Sequence, residues 1–74
     1  MKLSEVIENV NKNYFFQNFD DNLPLLILED LKEFKPENLV KLSDFLFIFY
    51  IEDIKYFISE DGLYESNENI NDRN

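Results

Sequence analysis

Phe45-Leu46-Phe47-Ile48-Phe49-Tyr50-Ile51-Glu52-Asp53-Ile54-Lys55-Tyr56-Phe57-Ile58-Ser59 is the stretch on which the fold turns. Phe, Ile and Tyr favour strands, so propensity points to a sheet. Spacing points to a helix. Phe47, Tyr50, Ile51, Ile54, Phe57 and Ile58 fall at i, i+3, i+4, i+7, i+10 and i+11, with Glu52, Asp53, Lys55, Ser59 and Glu60 on the opposite side. Six matches to a 3.6 period predict a helix from Pro36 to about Glu60. Ser43-Asp44 is a point where a serine cap would interrupt and restart it, and Gly62 becomes the helix-ending residue. The alternative makes Ile54–Leu63 part of a hairpin turning at Asp61-Gly62.

Working outward, Leu3, Val6, Ile7, Val10 and Tyr14 form a helical stripe over the segment from Ser4 to about Tyr14. Ser4 is the expected N-cap, with Glu5 and Glu8 near the positive end of the helix dipole. Asp20-Asp21-Asn22 signals a turn, and Pro24 suits the start of a second helix, Pro24 to Phe34. That helix would bury Ile27, Leu28, Leu31 and Phe34 and stop at Lys35-Pro36. From Glu65 onward the chain is polar. The expected architecture is therefore all-α: a bundle of about three helices over residues 1–64 as a single domain, with a flexible acidic tail over 65–74.

Composition narrows the chemistry. The chain has 74 residues, 45% of them apolar and 16% aromatic, with 16 acidic against 7 basic side chains and a formal net charge of −9. An apolar interior under an acidic exterior describes a folded domain, not a disordered one. With no Cys and no His, the chain lacks a disulfide framework, thiolate metal ligands and the commonest general base. One Gly rules out a glycine-rich phosphate loop. Serines have no His to activate them, and three short helices offer little concavity for a carboxylate pair, so no enzyme is expected. No cofactor or metal site is expected either. Asn67–Asp72 echoes an EF-hand loop but lacks its glycine and terminal bidentate Glu. Six Lys and one Arg are scattered without a basic stripe, which disfavours direct nucleic-acid binding.

The N-terminal residues show no signal-peptide pattern, and the longest apolar run, Phe45–Ile51, has seven residues where a bilayer span needs roughly 18. A cytoplasmic protein without membrane contact is expected. Ten Asn, no Ala and a single Arg match AT-rich coding, as in some bacteria and their phages. In the expected third helix, Phe45–Ile51 would be apolar all round and would need neighbours on every side. Phe45, Phe49, Tyr50 and Tyr56 are accordingly the candidates for self-association or partner docking.

The carboxylates are the remaining feature. Glu29, Asp30, Glu33, Glu52, Asp53, Glu60 and Asp61 would lie in rows on the expected helices, where positions three or four apart are neighbours. Rows of negative charge on a rigid helix offer a basic groove what a phosphate backbone offers it. In size, in these Asp/Glu rows, in lacking Cys and His and in its AT-rich composition, the chain resembles the small acidic inhibitors of phages and mobile elements. That class includes DNA-mimic antirestriction proteins and anti-CRISPR proteins. The resemblance carries no motif and transfers no residue. It implies a non-enzymatic inhibitor that presents an acidic helical surface to a basic, nucleic-acid-binding protein such as a defence nuclease, in the host cytoplasm if phage-encoded. Acidic immunity or antitoxin proteins that neutralise basic nuclease toxins are similar by the same criteria. The rival from another class is a homodimeric interaction or adaptor module working through its aromatic third helix.

Overall fold

The computed structural model describes residues 1–66. Two helices come first: α1 (Leu3–Asn13) and α2 (Asn22–Asp30), with single 3-10 turns at Phe16–Asn18 and Lys32–Phe34. Four strands follow, β1 (Glu37–Ser43), β2 (Leu46–Ile51), β3 (Ile54–Ser59) and β4 (Gly62–Glu65). They form one antiparallel sheet in the order β1-β2-β3-β4. The fold is α+β, which corrects the all-α bundle expected from spacing.

The correction falls on the stretch that decided the reading. What spacing assigned to one helix, Pro36 to Glu60, is three strands joined by tight turns. Ser43-Asp44 is no restart point; Asp44 and Phe45 make the β1–β2 turn. Gly62 opens β4 and ends no helix, so the hairpin alternative describes this end of the chain, with Glu60-Asp61 in the turn. Along β2 burial alternates: Phe47, Phe49 and Ile51 are buried while Leu46, Ile48 and Tyr50 are half-buried. That is a period of two, the pleat of a strand. Between β2 and β3 the turn is two residues, Glu52-Asp53, with φ of 53° and 69°. Positive φ at both central residues is what a type I′ turn needs, and its twist matches that of the strands.

The helical half is closer to the sequence reading. Val10 is buried, and Leu3, Val6, Ile7 and Tyr14 pack partly buried against the core. The cap of α1 is Lys2 and not Ser4; the Lys2 amide donates to Glu5 Oε1 at 3.2 Å. Asp21 is the N-cap of α2, and Asp20 before it holds the turn, its Oδ1 accepting from the amides of Asn22 (2.9 Å) and Leu23 (3.1 Å). α2 is shorter than the expected Pro24–Phe34, and after Leu31 the chain tightens into the 3-10 turn. Lys35, left-handed at φ 57°, and Pro36 then end the helical region.

Both helices cover one face of the sheet. Val10, Leu23, Ile27 and Leu31 share a single core with Phe47, Phe49, Ile51, Tyr56, Ile58 and Leu63. Phe49 stacks on Tyr56 with ring centroids 5.5 Å apart. A side-chain amide ties the layers together: Asn11 Nδ2 donates to the Leu63 carbonyl (2.8 Å), and the Leu63 amide donates to Asn11 Oδ1 (2.7 Å). Asn11 thus satisfies both backbone groups of Leu63 that face away from β3, as another strand would. Residues 65 and 66, expected to begin a flexible tail, belong to the sheet. Glu65 pairs with Tyr56, and the buried Ser66 donates its amide to the Lys55 carbonyl at 2.8 Å. Residues 67–74, with the EF-hand-like stretch, lie outside the described residues.

Candidate functional site

Among the described residues, no helix covers the opposite face of the sheet. Cross-strand partners share a face, and the register links Val40 to Ile48, Ile48 to Phe57 and Phe57 to Tyr64. One row of apolar and aromatic side chains therefore crosses all four strands on the outer side. Val40 is 45% and Tyr64 40% exposed, and Ile48 and Phe57 are half-buried only by their neighbours. The rings of Phe57 and Tyr64 lie 5.5 Å apart, and the Tyr64 hydroxyl sits 3.4 Å from Ser59 Oγ, on the same face. A second row on this face runs Glu37–Tyr50–Lys55.

Strand register also sorts the carboxylates. The β1–β2 and β3–β4 turns lie at one end of the sheet and bring together Asp44, Glu60 and Asp61. The β2–β3 turn lies at the other end, with the start of β1 and the end of β4, and places Glu37, Glu52 and Asp53 there, while Glu65, paired with Tyr56, is at the same end but on the helix side. Glu37, Asn38, Tyr50, Glu52 and Asp53 line a shallow hollow of about 220 Å³ there. Asn38, like Glu52 and Asp53, has positive φ (60°), at a bulge where β1 gains a residue on β2. The apolar rows are thus bracketed by acid at both strand ends, about 17–20 Å apart for six-residue strands.

The expected site residues are divided by this geometry. Glu52 and Asp53 are at one sheet end, Glu60 and Asp61 at the other, all four exposed. Glu29, Asp30 and Glu33 belong to the helical layer, where Glu29 pairs with Lys32 (2.9 Å) and Asp30 accepts from the Tyr14 hydroxyl (2.8 Å). The Asp30 bond holds the Tyr14 phenol above its ordinary pKa, and the Glu29 bond does the same for Lys32. Continuous rows of carboxylate along helices do not form. Instead, Asp30 and Glu33 flank a separate concavity of about 240 Å³ floored by Val6 and Val10.

Of the four expected aromatic residues, two are withdrawn from any partner. Phe49 is fully buried and Tyr56 is 4% exposed, because both point to the helices. Burial, with Glu65 and Glu52 nearby, raises the Tyr56 pKa. Tyr50 is on the outer face; Phe45, exposed in the β1–β2 turn, leans edge-on against Phe19 at 6.3 Å. The spacing argument missed Ile48, Phe57 and Tyr64. Reading β2 and β3 as alternating strands would have exposed them, since Phe47 and Phe49 fall on one side and Ile48 and Tyr50 on the other.

Among the described residues, no group of three or more Asp and Glu is placed to hold a metal ion, and no helix is long and apolar enough to cross a membrane. The chain matches no family model, no curated protein and no solved structure.

Proposed function

We propose that this chain is a non-enzymatic inhibitor that occupies a basic surface of another cytoplasmic protein, one that ordinarily holds nucleic-acid phosphates. The observation that carries the reading is the gathering of seven carboxylates into two end groups, Asp44/Glu60/Asp61 and Glu37/Glu52/Asp53/Glu65, on a rigid sheet. Carboxylates fixed by tight turns need little reordering on binding, so Lys and Arg of a partner meet acceptors already in place. A net charge of −9 speeds encounter with a basic partner and repels nucleic acid itself. Catalysis has no support in the side chains present, which lack His and Cys altogether.

The test is capture with the full chain at low and high salt, with duplex DNA as competitor. The reading expects a nucleic-acid-binding protein that is retained at low salt, released by high salt and displaced by DNA. A partner held equally at both salts and indifferent to DNA would overturn it. The two ends can be separated by paired amide variants, Glu52→Gln with Asp53→Asn, and Glu60→Gln with Asp61→Asn. Each pair is expected to weaken binding several-fold and to flatten its salt dependence.

A further inference from the structure

We propose that the outer face of the sheet docks an amphipathic helix of the basic partner, lying along β2 and β3 so that its apolar stripe meets Ile48, Tyr50 and Phe57 at the middle of the cross-strand row and its Lys or Arg residues reach the two acidic strand ends. This rests on the reading of a basic partner and adds the place and form of the contact. Three occupants are conceivable for an apolar sheet face, and charge and composition separate them.

The chain's own remainder is a poor cover. Residues 67–74 contain one apolar side chain, Ile70, against two acids, Glu68 and Asp72, one base, Arg73, and four Asn. They would bring charge, not hydrocarbon, to a row that spans four strands. A second copy is opposed by electrostatics. Sheets that pack face to face in the aligned manner keep their strands within about 30° of one another. Because both ends of this face are acidic, either strand direction sets carboxylates against carboxylates, and the interface would remove water that screens them. The basic residues nearby do not reverse the sign. Lys41 is engaged by Asp21 (3.0 Å) and Asp44 (3.7 Å), and Lys55 brings one positive charge to a row that also holds Glu37, against several carboxylates at the strand ends.

A heterologous helix meets each requirement. At 1.5 Å per residue, about 11–13 residues of helix span the 17–20 Å between the acidic ends. The sheet already carries helices on its inner face, so a third layer completes an arrangement that sheets commonly adopt. Phe57, Tyr64 and Tyr50 supply the aromatic area on which affinity depends, while the end charges fix direction and speed of approach.

A synthetic 14-residue peptide tests this, with two basic residues at each end and Leu and Phe at helical spacing between them. One control has the same composition in scrambled order; another keeps the ends and replaces Leu and Phe with Ser. Heteronuclear NMR of the full chain at low salt is expected to show the patterned peptide shifting Ile48, Tyr50 and Phe57 most, with Val40 and Tyr64 at its flanks. Both controls should bind about tenfold weaker or less. Ile48→Lys with Phe57→Lys should lose about tenfold in affinity with a dispersed spectrum. Should that pair unfold the chain, Tyr64→Ser on the exposed edge strand serves the same purpose.

If all three peptides bind alike and shift only the turn carboxylates, the docking face is wrong while the acidic reading stands. If none binds, both fail. Sedimentation that reveals a dimer, with the Ile48 and Phe57 signals broadened in the free chain, assigns the face to a second copy and overturns the proposal.

Discussion

Phe49 and Phe57 lie on adjacent strands of one hairpin and face opposite ways. Phe49 is fully buried between the sheet and the helices, stacked on Tyr56. Phe57 is half-buried beside its sheet neighbours Ile48 and Tyr64. The residue types are the same on both faces, so hydrophobicity alone does not decide which side becomes core. What decides is where the preceding helices can land. Val10, Ile27 and Leu31 close one side, and nothing among the described residues closes the other.

The largest effect expected from this contrast is on stability. Phe49→Ala should cost about 3–5 kcal/mol, which is the whole of what a core of this size typically supplies. The variant should be unfolded at room temperature by near-ultraviolet circular dichroism and NMR dispersion. Phe57→Ala should cost about 1 kcal/mol or less, as partly exposed sites do. Equal destabilisation by the two would mean that the outer face is as much core as the inner one, and the docking surface would have to be abandoned.

An intermediate effect should come from the junction of helix and sheet. Asn11→Ala deletes both bonds to Leu63 and opens the free side of β4. A loss of about 1–3 kcal/mol is expected, with faster hydrogen exchange at the Leu63 amide. Gly62 is tied to the same contact. A Cβ there would meet Asn11 Oδ1 at 2.7 Å, and its φ of 123° disfavours any side chain. Exchange at Leu63 that ignores Asn11→Ala would show that the helical layer does not protect the edge.

The same outer face explains why the strands were hard to read. A sheet with one wet face announces itself by alternating apolar and polar residues. Here β2 is apolar at all six positions, Leu46 to Ile51, so the alternation vanishes and a helical subset can always be picked out. Helix α1 has no such problem: Glu5, Glu8, Asn9 and Lys12 mark its wet side and leave a single stripe. The acidic residues of the candidate site were legible by type but not by place. Their neighbours were reckoned along a helix, whereas turns distribute Glu52-Asp53 and Glu60-Asp61 to opposite ends. On a helical period Phe49 and Tyr56 read as surface; only a strand period puts them on the same side as Phe47 and Ile58. Strand propensity, overruled by spacing, was the better guide.

The β2–β3 turn sharpens this lesson, because helix and hairpin predict opposite signs. Glu52 and Asp53 hold left-handed conformations that non-glycine residues adopt at a cost. Replacing them with Asn and Gly, the pair that type I′ turns prefer, should stabilise the chain by about 1 kcal/mol. For a domain this small, that is a rise of about 4–8 °C in Tm. In a helix the same glycine would destabilise by about 1 kcal/mol. The variant also removes two carboxylates from one end of the sheet, so binding to a basic partner should weaken while Tm rises. A gain in both would separate the acid from the function.

The smallest effect concerns two tyrosines off the outer face. Tyr56 is raised above the ordinary tyrosine value chiefly by burial, and Tyr14 chiefly by its hydrogen bond to Asp30. A phenol whose folded pKa exceeds its unfolded one keeps its proton longer in the native state. Its stabilising contribution is complete below the unfolded value of about 10, and it is lost as pH climbs through the folded value. Absorbance titration near 295 nm should contain late components that disappear in Tyr56→Phe and in Tyr14→Phe, and each variant should lose less stability than the parent on going to strongly alkaline pH. If the Tyr56 component titrated at the ordinary value, water would reach its hydroxyl through the inner face. The helices would then not seal that side of the sheet, and the distinction between its two faces would narrow.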